Sequence, residues 1–117
     1  MEKELYDYVA ERAEILSKSP ASTQVTVDAA TAWLAADEAD ADEATAKLVD
    51  VLDGRPTTID GVIAFAQGPA VGMMGEEAAA AMLAAQLERK AAGAKWCSCE
   101  ACTAATEILA KFGRCEL

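Results

Sequence analysis

Apolar residues recur at helical spacing along almost the whole of this 117-residue chain. Residues three and four apart share one face of a helix, whereas a half-buried strand would alternate, and no segment here alternates. Leu5, Tyr8, Val9, Ile15 and Leu16 form one stripe and predict a helix over 3–18, stopped by Ser19-Pro20. Val27, Ala30, Trp33 and Leu34 predict a second over about 24–36. Ala44, Leu48, Val51 and Leu52 mark a third, ended by Gly54. Thr57, with Asp60 three residues on, reads as the cap of a fourth, carried by Ile59, Val62, Ile63 and Ala66 as far as Gly68-Pro69. Gly68 to Gly75 reads as a flexible connector. A long alanine-rich helix follows, with Glu76 and Glu77 in its first turn, Arg89 and Lys90 near its end, and Gly93 closing it. The last helix runs from about Cys99 to Phe112 with Ala101, Ala104, Ala105, Ile108 and Phe112 inward. The prediction is an all-α fold: a compact bundle of about five to six helices. Residues 1–117 would form a single helical domain, without internal repeat or interdomain linker.

Composition agrees. The chain is 53% hydrophobic, too apolar for disorder, and only 5% aromatic, which favours close-packed alanine-rich helices. At this length a core can form without staples. A net charge of −10 argues against nucleic acid or an anionic membrane as partner. No apolar run approaches the roughly 20 residues of a membrane span. The charged start Met1-Glu2-Lys3-Glu4 lacks a signal-peptide core, so a cytoplasmic chain is expected.

In that compartment clustered cysteines are more often metal ligands or redox groups than structural disulfides. Three of the four fall within Trp96-Cys97-Ser98-Cys99-Glu100-Ala101-Cys102, spaced C-x-C-x-x-C, and the fourth is Cys115. Residues 1–85 carry net charge −11 and residues 86–117 carry +1, so the thiols occupy the only part of the chain that is not acidic. With Cys97 and Cys99 on a loop entering a helix and Cys102 in its first turn, the three sulfurs can converge. Helix N-termini favour thiolates, and thiolates are good ligands for soft metals, Zn(II) first.

A four-cysteine site is not expected. Thirteen residues separate Cys102 from Cys115. At about 1.5 Å per helical residue they lie nearly 20 Å apart. The Gly113-Arg114 tail looks too short to return. With no histidine in the chain, a fourth ligand would have to be Asp, Glu, water or another chain. Two other readings stay open. Cys99-Glu100-Ala101-Cys102 is a C-x-x-C at a helix start, the placement used in dithiol redox chemistry, although the strand–helix context of a thioredoxin-like fold is missing. Alternatively, the thiols are incidental to an interaction module that presents an alanine- and methionine-lined face, including Met73 and Met74, to a protein partner or to a second copy in a homodimer.

Other constellations fail. An EF-hand begun at Asp40 would need Gly at Thr45 and Glu at Val51, so the acidic run 37–43 reads as a helix start on a solvated face. The glycines of 68–75 lack the Gly-Lys-Ser/Thr ending of a P-loop. Without histidine or a nucleophile elbow, no pattern for enzyme chemistry is found.

The segment Ala91-Ala92-Gly93-Ala94-Lys95-Trp96-Cys97-Ser98-Cys99-Glu100-Ala101-Cys102 resembles the ending A-A-G-A-K-Y-C-D-C-P-A-C of a family of short bacterial proteins from anaerobic gut Firmicutes and Actinobacteria. The resemblance extends to Asp7-Tyr8-Val9, Ala32-Trp33-Leu34 and Ile59-Asp60-Gly61-Val62-Ile63-Ala64-Phe65-Ala66. The family has no established activity. Some members carry a heat-shock chaperone label, which this short chain without a nucleotide motif does not support. The resemblance matches Cys97, Cys99 and Cys102 residue by residue. It also implies a cysteine near 19–23 in some relatives, where this chain has Ser22 and Thr23.

Overall fold

The computed structural model describes residues 1–117, and its regular structure is helical: α-helices with one short 3₁₀ turn. Seven helices follow in order: α1 (Lys3–Lys18), α2 (Gln24–Ala35), α3 (Ala41–Leu52), α4 (Ile59–Gln67), α5 (Pro69–Met74), α6 (Glu76–Ala91) and α7 (Glu100–Lys111). None is long and apolar enough to cross a membrane. Contacts group the chain into two units, Met1–Pro56 with Ser98–Glu116, and Thr57–Cys97 with Leu117.

In the first unit α1 packs on α2 and α7, α2 on α3, and α3 on α7, so four helices close into a ring. Each contributes to one core: Val9 and Leu16 from α1, Ala30 and Trp33 from α2, Leu48 and Leu52 from α3, Ala104, Ile108 and Leu109 from α7. Alanines on α2 and α7 let the helix backbones approach closely around the larger side chains. The one large polar group in this core is satisfied. The Trp33 indole N–H donates to Thr45 Oγ1 at 2.8 Å, and Tyr6 packs on the indole with ring centroids 5.2 Å apart. Arg12 lies over the Tyr8 ring, 3.4 Å from its centroid, and its guanidinium meets Glu107 at 3.0 Å, tying α1 to α7.

The second unit is smaller. α4 and α5 pack on each other and both pack on α6, burying Ile59, Val62, Ala66, Ala70 and Ala79. Here Gly68–Gly75 is not a flexible connector. Pro69 occupies the first turn of α5, where its missing N–H costs nothing and its fixed φ suits a helix. Ala70 is fully buried, so packing holds a segment whose glycines alone would not make it helical.

Three local expectations shift. The cap of α4 is Thr58, which accepts from Gly61 N–H at 3.0 Å, not Thr57. Asp60 does not reciprocate but pairs with Lys90 of α6 at 2.6 Å. On α2, Leu34 is exposed, Val27 half-buried and Thr26 buried, so the inward face is rotated about the helix axis from the expected one. The acidic run forms a 3₁₀ turn at Glu38–Asp40 leading into α3, with its carboxylates exposed.

Candidate metal centre

Two turn motifs deliver the cysteine segment. α6 ends in a Schellman motif: Ala94 N–H donates to Arg89 O at 2.9 Å, Gly93 N–H donates to Lys90 O at 3.0 Å, and Gly93 has φ +99. The chain then runs extended. Ile59 N–H donates to Lys95 O at 2.9 Å and Cys97 N–H donates to Thr57 O at 2.8 Å, making a short antiparallel bridge between Thr58 and Trp96. The Arg89 guanidinium donates to Trp96 O at 2.9 Å and to Gln86 Oε1 at 2.7 Å. The backbone on either side of Trp96 is thus pinned, and Cys97 follows directly.

Cys99 is the N-cap of α7. Its backbone is extended, at φ −63 and ψ 155, and its Sγ accepts from the Cys102 N–H at 3.3 Å. A serine in this place would cap in the same way, so the sulfur here does the work of a hydroxyl. The helix begins at Glu100, one residue later than the spacing predicts, because Cys99 caps it and is not in it. Capping draws Cys99 Sγ back over the first turn, where Cys102 at the third helical position also points.

The three sulfurs of Cys97, Cys99 and Cys102 lie within 4.8 Å of one another, all half-buried. Around a tetrahedral Zn(II) with Zn–S of about 2.3 Å, sulfurs stand about 3.8 Å apart, a difference that small side-chain rotations cover. These three cysteines are positioned to hold a metal ion, and the arrangement is local to six consecutive residues. Soft sulfur donors suit a soft cation.

Cys115 is not part of the group. The reason differs from the one drawn from helix length. The tail does return: Gly113, at φ +72, ends α7 in a second Schellman motif, with Arg114 N–H on Leu109 O at 2.8 Å and Gly113 N–H on Ala110 O at 3.1 Å. Cys115 Sγ then sits 3.5 Å from Thr106 O, part-way back along the helix but below its first turn. The Arg114 guanidinium fixes the turn by meeting Asp53 at 3.0 Å and Asp50 at 3.2 Å. Burial, with the nearby Asp53 carboxylate second, pushes the Cys115 thiol pKa up.

Sequence reasoning missed Arg89 as a positioning residue. It reads as a helix-end charge, and nothing in its spacing from Trp96 marks the carbonyl it holds. An apolar groove of about 380 Å³ between α2 and α3, lined by Ala29, Ala32, Trp33, Ala44 and Leu48 with Asp40, Glu43 and Lys47 at its rim, includes no cysteine. Comparisons with protein-family models, with curated proteins and with solved structures gave no match to this chain.

Proposed function

We propose that this chain is a small metal-binding protein that holds one Zn(II) through Cys97, Cys99 and Cys102. The observation that carries the reading is the convergence of three sulfurs within 4.8 Å. Three thiolates gathered without a cation repel one another, and a soft divalent ion relieves that repulsion. Two roles follow from the placement. Bound metal fixes the segment that starts α7, and a half-buried site can also exchange its ion with solvent. A reducing, cytoplasmic setting would keep the sulfurs available as ligands.

The test is alkylation counted by intact mass. Zinc should protect three cysteines per chain from a thiol reagent and leave Cys115 unchanged. If zinc leaves the number of modified cysteines unaltered, the reading fails.

A second reading, a protein–protein module or homodimer, is favoured by a separate observation. Val71, Met73 and Met74 on α5 and Leu87 on α6 are exposed, Met73 to 75%. Flexible methionines at a surface suit adaptable apolar contacts. Met73→Glu would then abolish self-association or partner capture without altering zinc binding.

A further inference from the structure

Resting on the metal reading above, we propose that the bound ion keeps one coordination position for a thiolate from outside the cluster. Zinc takes four ligands, and closed structural sites supply all of them from protein side chains. Here the sulfurs of Cys97, Cys99 and Cys102 converge without any other Cys, Asp or Glu joining the group, and the chain has no histidine. Cys115, the one remaining thiol, is held against Thr106 O by the Gly113 turn and the Arg114–Asp53 pair. The three cysteines are half-buried, so the cluster is not sealed from solvent. A water occupies such a position by default.

A thiol that enters displaces that water. The metal–oxygen bond breaks, a metal–sulfur bond forms, and the thiol proton passes to solvent. No electron is transferred and no oxidant is needed. A fourth sulfur matches the softness of the other three, which is why a thiolate outcompetes a carboxylate here. It can come from a low-molecular-weight thiol or from a cysteine of another chain, a second copy included.

Cobalt substitution tests this, because the visible d–d bands of Co(II) and its sulfur-to-metal charge-transfer intensity report the number of thiolates. The full chain is loaded with Co(II) and titrated with 2-mercaptoethanol, with acetate as the oxygen-donor control. The expected result is a shift of the d–d bands to longer wavelength and a rise in charge-transfer intensity of about a third, the change from three sulfurs to four. Acetate should produce neither, and Cys115→Ser protein should respond as the unaltered chain does. Native mass spectra of the same samples separate the sources: a monomer carrying one added thiol points to the small molecule. A four-sulfur spectrum that appears without added thiol only in dimers points to a second copy, and it supports the proposal equally. A four-sulfur spectrum in the monomer without added thiol overturns the proposal but leaves metal binding intact. So does a three-sulfur spectrum that ignores 2-mercaptoethanol. If no cobalt–thiolate band forms at all, the metal reading falls and this proposal falls with it.

Discussion

The Cys99 sulfur accepts a hydrogen bond from the backbone N–H of Cys102, 3.3 Å away, so one atom is both the cap of α7 and a member of the thiol cluster. The two roles can be separated by substitution. Cys99→Ser keeps a capping atom and removes a soft ligand, whereas Cys99→Ala removes both. In urea unfolding without metal, Cys99→Ser should match or exceed the unaltered chain. Cys99→Ala should fall about 1 kcal/mol below Cys99→Ser, the usual worth of a cap. With zinc present, both variants should lose the metal-dependent gain in stability. Equal stability of the two variants without metal would contradict the capping role.

Arg89 should matter to the cluster without touching it. Its guanidinium holds Trp96 O, immediately before Cys97, and Gln86 on its own helix. Arg89→Leu should leave helix content unchanged by circular dichroism and weaken zinc about tenfold, in line with groups that orient metal ligands from one step out. Affinity unchanged in a competition with a chelator would show that the bridge at Thr58 and Trp96 suffices alone.

One buried polar pair joins α2 to α3. Thr45→Val removes the acceptor for the Trp33 indole N–H and leaves that donor buried in an apolar core. The expected loss is about 1–3 kcal/mol in urea unfolding, with zinc binding unaffected. Trp33 fluorescence would move as the indole loses its partner. A change below about 0.5 kcal/mol would mean that the indole finds another acceptor.

Cys115 links the tail to pH. Its folded pKa is raised, chiefly by burial, so the folded state holds the thiol proton more tightly than the unfolded chain does. The resulting stabilisation is complete below the unfolded thiol pKa, about 8.5, and is lost as pH rises through the higher folded value. Cys115→Ser should flatten that alkaline decline. Gly113→Ala places a Cβ at φ +72 and should cost about 1 kcal/mol or more. By loosening the turn it should also speed alkylation of Cys115, measured by intact mass.

Much of this was legible in residue spacing, and the exceptions are instructive. The bounds of α1 and four of the five expected inward residues of α7, Ala101, Ala104, Ala105 and Ile108, follow from the 3.6-residue period, because burial there falls on one helix face, while the fifth, Phe112, is the half-buried C-cap beyond Lys111. The convergence of Cys97, Cys99 and Cys102 was also legible, since it is local and depends only on a loop entering a helix. The helix at Pro69–Met74 was not, because its Gly-Pro start is the same signal whether a helix stops or begins there. Thr57 and Thr58 offer the same hydroxyl, and only the hydrogen bond from Gly61 N–H to Thr58 Oγ1 shows which one caps. The return of Cys115 toward Thr106 does not follow from helix rise, because it depends on the chain reversal at Gly113.

The central claim is that the three clustered thiols hold one soft metal ion. It is tested most directly by native mass spectrometry with elemental analysis on protein refolded with zinc and freed of excess. The account predicts about one zinc per chain, lost when Cys97, Cys99 and Cys102 are all replaced by Ser and retained in Cys115→Ser. Less than about 0.2 zinc per chain in the unaltered protein, or zinc retained by the triple variant, would contradict it.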